Sequence, residues 1–429
     1  MLPSSCPSND MQPVPTFRLK LPQELVDGII DELQHDITTL KACALTQRSM
    51  VYRSQYHIHR EVLLDCTVPP NADRYTSPYI SQFVRKLSLY TPYRSAFDMS
   101  EESSTNEDAA ALYSKEESDQ HRPWTVISRL TGVRDLFLVD FSWNISQSDR
   151  DLFATQFQHI TSLSLRLASF ADSEDFLSFL SAFPGLKSLK LSGVSWIGPW
   201  GARKWIRYPS HSRLTPPGRN LQTLSLVGFA YAEVIEGISS WISSLAANGA
   251  NGLTLFWSPN DGFQCLPDLL RGFGPSLSRF IVEMDCAKEI LRFDDAPRCN
   301  TSLQTLSFCL TAPGLPRKSA GRYQWIPDFL STVSSAQVAT IELRCDCQNP
   351  AQLERLFLQE IDDVLSKAKF SKLARVVLTV PNTLRPTEAH HVLERVLPWI
   401  TKQRLLEICY KPVDYEQSPN LESALALPC

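Results

Sequence analysis

Three stretches, GLKSLKLSGVSW (185–196), NLQTLSLVGFAY (220–231) and SLQTLSFCLTA (302–312), share one pattern. Each contains apolar-x-x-apolar-x-apolar, and alternate positions of a short strand place its leucines on a single face. The same triplet begins at Val84, Val133, Ile160, Leu186, Leu221, Ala250, Leu277, Leu303, Val338, Leu373 and Leu405. So apolar a chain meets this loose template often by chance, so the spacing is what discriminates. From Val133 onward successive starts lie 26 to 35 residues apart. Between them the period becomes helical, as in Asp175 to Phe183 and Ala232 to Leu245. Leu353, Leu356, Phe357, Ile361, Val364 and Leu365 predict one helix behind Asn349 as cap and Pro350 at its first position. Val392, Leu393, Val396, Leu397 and Ile400 predict another. One strand and one helix cannot close a core, whereas stacked copies bury a continuous interior.

The expectation is therefore an α/β chain: a small amino-terminal helical domain followed by an irregular leucine-rich-repeat solenoid, a horseshoe with parallel strands on its concave face. Residues 1–16, rich in Pro, Ser and Asn, read as a disordered lead, 17–62 as the helical domain and 63–429 as the repeat domain. Two insertions interrupt the repeats. Residues 98–122 carry eight acids against Lys115 and Arg122 and read as a disordered, solvated loop. Residues 196–219 combine Trp196, Trp200 and Trp205 with Arg203, Lys204 and Arg207, a mixture of rings and cations suited to capturing a substrate protein. The tryptophans could equally pack the base of a long loop.

At the amino-terminal end, Leu21, Leu25, Val26, Ile29, Ile30 and Leu33 recur at helical spacing, with Pro22 in the first turn. Asp36 or Thr38 caps a second helix carrying Leu40, Cys43, Ala44 and Leu45, and a third runs through Met50, Val51 and Tyr56. So small a unit hides too little surface to be stable alone, which implies a partner. The run LPQELVDGIIDELQHDITTLKACALTQRSMVYRSQYHIHR (21–60) resembles an F-box: Leu-Pro-x-Glu-Leu at 21–25, Ile29-x-x-x-Leu33, Leu40-x-x-Cys43-x-Leu45, then Arg48-Ser49. The resemblance implies docking on a Skp-type adaptor, and through it on a cullin, by Leu21, Pro22, Leu25, Ile29, Ile30, Leu33, Leu40, Cys43, Leu45, Arg48 and Met50. Met50 stands where the family usually has Trp, and Thr46 and Gln47 replace an apolar residue and Cys. Leucine-rich repeats downstream resemble those of fungal F-box proteins, where they hold the target. The bland alternative is a helical cap on the first repeat.

The 429 residues carry 42 basic and 46 acidic side chains, a net charge of −4. That provides no global field for nucleic acid or anionic membrane, so neither is expected as a partner. Eleven cysteines without framework spacing suit reduced thiols. Met1 to Pro15 has no apolar run, Gly237 to Pro259 is broken by Ser, Asn and Gly, and Cys429 is not fourth from the end. These readings predict an intracellular protein of the cytoplasm or nucleus.

No phosphate-binding glycine loop, nucleophile elbow or His-Glu-x-x-His helix occurs. Cys345 and Cys347 share a strand face, but zinc would need two further ligands. His390 and His391 lie about 100° apart on a helix and cannot share an ion. The expectation is a non-catalytic receptor subunit of a ubiquitin ligase, with no cofactor and no metal. A leucine-rich interaction scaffold without a ligase is the alternative, and an enzyme with a site of dispersed residues a more distant one.

Overall fold

The protein is described by a computed structural model covering residues 21–65, 75, 77–90, 127, 129–143, 147–196, 219–227, 232–257, 266–284, 295–311, 325–347, 349–354 and 356–411. The expected disordered lead (1–16) and acidic insertion (98–122) lie outside the described residues. The chain divides into two compact units, Met1–Glu61 and Val62–Cys429.

The first unit contains α1 (Gln23–Glu32), α2 (Ile37–Thr46) and α3 (Arg48–His59). Pro22 sits at the N-cap of α1, where a missing N–H costs nothing. Asp36, not Thr38, caps α2, its carboxylate accepting Thr39 N–H at 3.0 Å and the Thr39 hydroxyl at 2.6 Å. Val26, Ile30 and Leu40 form the core, with Leu33, Met50 and Ile58 packed partly against it.

In the second unit a sheet of twelve strands follows chain order: β1 (Glu61–Asp65), β2 (Lys86–Tyr90), β3 (Asp135–Val139), β4 (Ser162–Arg166), β6 (Ser188–Ser192), β8 (Thr223–Val227), β9 (Gly252–Trp257), β10 (Arg279–Met284), β11 (Thr305–Thr311), β12 (Thr340–Asp346), β13 (Arg375–Pro381) and β14 (Leu406–Lys411). Every pair from β2 to β14 is parallel. Each of the eleven triplets enters one of these strands, within two residues of its start. The edge strand β1 carries no such triplet, yet Val62 and Leu64 alternate into the same core.

Register explains the leucines. Leu87, Leu136, Leu163, Leu189, Leu224 and Leu253 stand side by side on six consecutive strands, and the row continues through Phe280, Leu306, Ile341 and Val376. A second row two residues on runs from Leu89 to Leu378. Both rows are buried, and the helices between strands bury Phe176, Leu269 and Ile361 in the same core. The residues between the rows, among them Ser164, Ser225 and Thr254, are half-buried, and Lys190 is exposed.

Strand exits repeat as well. Asp140, Leu167 and Gly193 follow β3, β4 and β6, and all have positive φ, of 52°, 54° and 62°. Gly193 takes this conformation without the Cβ strain that Asp140 and Leu167 carry, and it leaves room for Leu167 Cδ2, which a Cβ there would meet at 2.9 Å. These turns lead into β5 (Ser169–Phe170) and β7 (Ser195–Trp196), a separate parallel pair that strand periodicity does not foretell.

Two expected helices are broken. Asn349 Oδ1 does accept Gln352 N–H at 3.0 Å, but the helix ends after Leu353 and a new one spans Leu358–Leu365. In one continuous helix Leu358 would sit about 140° from Leu353. A left-handed Phe357 lets both face the core together with Leu356. The last one divides into Pro386–Val396 and Pro398–Lys402, because Pro398 has no N–H to continue the ladder.

Candidate functional site

The first unit leaves much of its apolar surface in water. Leu21, Leu25 and Ile29, at four-residue intervals, are 59, 56 and 55% exposed, and Leu45 on α2 is 90% exposed. Val26 and Ile30, one position on from Leu25 and Ile29, are buried. The helix α1 is thus apolar on two adjacent stripes, one turned into the unit and one into solvent. Fully burying a Leu or Ile side chain is worth about 1.5–3 kcal/mol, and Leu21, Leu25 and Ile29 have roughly half of that left to gain against a partner.

The residues that the F-box resemblance assigns to an adaptor therefore fall into two groups. Leu21, Pro22, Leu25, Ile29, Leu45 and Arg48 are exposed. Ile30 and Leu40 are inside, and Leu33 and Met50, half-buried, pack partly against them. Cys43 is intermediate in exposure, with a free thiol.

Polar contacts fix α1 on α3. Asp31 accepts two bonds from Arg53, 2.5 Å from Nε and 2.6 Å from Nη2, and its Oδ1 lies 2.7 Å from Nε2 of the nearly buried His57. The Arg53 guanidinium beside it is the largest influence on the Asp31 carboxyl, which is held down at about 2. Gln23 Nε2 donates to Ser49 O at 2.9 Å and ties the start of α1 to the start of α3. Spacing within α1 does not reveal this network, because its partners lie 22 to 26 residues away.

Of the tryptophan-rich candidates in the second unit, Trp196 is half-buried and packs edgewise on Phe170 and at a tilt on Phe176, with ring centroids 6.2 and 5.6 Å apart. Trp200, Arg203, Lys204, Trp205 and Arg207 lie outside the described residues.

Cys345 and Cys347 are both buried. Among the described residues no group of three or more His, Cys, Asp or Glu could hold a metal ion. His390 pairs with Glu394 at 3.2 Å on an exposed helix face. No helix among the described residues is long and apolar enough to cross a membrane. Comparison of the sequence with models of known protein families and with curated proteins gives no match.

Proposed function

We propose that the chain is the substrate-receptor subunit of a Skp/cullin/F-box ubiquitin ligase, its first unit an F-box and its second a leucine-rich-repeat horseshoe that holds a target protein. The observation that carries the reading is the coincidence of the ordered motif at 21–60 with a leucine-rich stripe left in water by a unit whose buried apolar core, among the described residues, is Val26, Ile30 and Leu40. A three-helix unit with so few buried side chains gains most from a second chain that covers Leu21, Leu25, Ile29 and Leu45. The consecutive parallel strands support the repeat half, because stacked repeats present a broad, partly exposed face of side chains between their apolar rows. Such a receptor needs no nucleophile. It acts by raising the effective concentration of target lysines beside a charged conjugating enzyme, in the cytoplasm or nucleus.

Co-purification with a Skp-type adaptor tests the reading. The wild-type chain should retain the adaptor through gel filtration, and Leu25→Asp, which places a charge on the stripe and leaves the core untouched, should abolish the complex. Pro22→Ala should weaken it by less. If no complex forms, or if Leu25→Asp binds as well as wild type, the ligase reading is wrong and the protein is a repeat scaffold without a ligase.

A further inference from the structure

At the entry to each strand one carbonyl accepts two N–H groups of the next strand: Arg134 O from Thr161 and Ser162 at 2.8 and 3.1 Å, Thr161 O from Lys187 and Ser188 at 2.8 and 3.0 Å, Lys187 O from Gln222 and Thr223 at 2.8 and 3.0 Å. This repetition sets Arg134, Thr161, Lys187 and Gln222 side by side along the amino-terminal edge of β3, β4, β6 and β8. A groove of about 440 Å³ opens there, lined also by His159 and Asn220. No carboxylate lines it, and none occurs in 129–134, 157–161, 184–187 or 219–222, although the chain as a whole is acidic. Arg134 Nη1 donates to His159 O at 3.2 Å, which directs the guanidinium along the groove and occupies one of its five donors. Among the described residues the Lys187 ammonium has no hydrogen-bond or ion-pair partner. Farther along the same edge the equivalent positions are Asn251, Ser278, Gln304, Ala339 and Ala374, so this column carries no cation after Lys187.

We propose that this strand-entry groove docks an extended acidic peptide segment, whose carboxylates pair with Arg134 and Lys187. The two cations stand two strands apart, roughly 10 Å at about 4.8 Å per strand, which matches carboxylates three residues apart on one face of an extended polyproline-II segment at about 3.1 Å per residue. Nucleic acid fits less well. Arg134, Lys187 and nearby Arg219 would release few counterions, and no Phe, Tyr or Trp lines the groove to stack a base. The site lies at the opposite strand ends from those that usually hold ligands in open parallel sheets. It is independent of whether the first unit binds an adaptor.

The test is fluorescence anisotropy on the full chain with a labelled peptide of Glu-Ser-Ser repeats, the same peptide with Gln for Glu, and an oligothymidylate of similar length. The Glu peptide should bind the wild-type chain and weaken as salt rises, and the Gln peptide should not bind. Arg134→Ala/Lys187→Ala should weaken the Glu peptide at least about tenfold. Lys367→Ala/Lys402→Ala, an equal charge change at two exposed lysines elsewhere, should leave binding as it is. If the alanine pair in the groove lowers the melting temperature, Arg134→Gln/Lys187→Gln decides in its place. The proposal is overturned by no binding of the Glu peptide, by equal loss in both double variants, by equal binding of the Gln peptide, or by tighter binding of the oligothymidylate.

Discussion

The same residue type has opposite meanings in the two units. In the repeat unit Leu224 lies between Leu189 and Leu253 on neighbouring strands and is wholly buried, and the row it belongs to is closed on each side by another repeat. In the first unit Leu25 has no layer above it and remains more than half exposed, while the contact between α1 and α3 relies on Asp31, Arg53 and His57. Stacking supplies each repeat with a neighbour that excludes water. A single layer of three helices lacks that neighbour, so it uses charge to fix its geometry and leaves its surplus apolar surface for another chain.

Truncating one leucine in each unit should break this contrast most sharply. Leu224→Ala removes buried methyl groups from a row with no slack, and should cost about 2–5 kcal/mol in urea unfolding. Leu25→Ala removes as many atoms, but from water, and should stay within about 0.5 kcal/mol of wild type. Equal losses would mean that Leu25 is structural and that the stripe on α1 is not a free surface.

Asp362 is the repeat unit's counterpart to the charged contact of the first. Its buried carboxylate accepts the N–H of Trp399 at 2.8 Å and of Ile400 at 2.9 Å, so it caps the short helix Pro398–Lys402 from 37 or 38 residues away. Asp362→Ala strands both donors and should cost about 1–3 kcal/mol, with Asp362→Asn recovering part through its amide oxygen. A smaller effect is expected at Lys369, whose ammonium donates to the carbonyls of Leu330, Ser331 and Val333 at 2.7, 2.7 and 3.2 Å and so closes the helix Trp325–Thr332. Lys369→Met keeps the stem and loses those bonds, for about 1 kcal/mol in the same unfolding measurement.

How much of this is legible in sequence depends on whether the signal is local. The triplet marks eleven strands because a period of two on a half-buried strand survives in any one repeat. It misses β1, where Glu61–Asp65 alternates without the full triplet, and β5 and β7, which are too short for any period. The break before Pro398 was open to inspection, since proline cannot continue a helix, whereas the left-handed Phe357 follows from the core it must fill and leaves no mark of its own. Helical spacing shows that α1 is amphipathic, but it does not tell Leu25 from Val26, because both stripes are apolar. The basic groove becomes visible only when the residue before each strand is read as a column, and that needs the register.

The last prediction concerns the sign of the pH dependence, which the two aspartates make opposite. The Asp31 carboxyl is held down at about 2 from an unfolded value near 3.8. Its contribution is complete above that unfolded value and is lost as pH falls from about 3.8 toward 2. Burial pushes the Asp362 carboxyl up instead, so the folded state holds its proton more tightly than the unfolded chain does, and this group favours the fold more as pH falls through the range just above 3.8. Mild acid should therefore loosen α1 on α3 before it loosens the last repeats. The effect is small, about 0.2–1 kcal/mol, because the Asp31 and Arg53 side chains are both more than a third exposed and solvent screens the pair. Amide hydrogen exchange at pH 5 and pH 3, corrected for intrinsic rates, should show protection falling in α1 and α3 and persisting in 398–402. Asp31→Asn should remove the difference at the first site and leave the second as it is. Loss of protection in both places together would mean that the two units do not respond to acid separately.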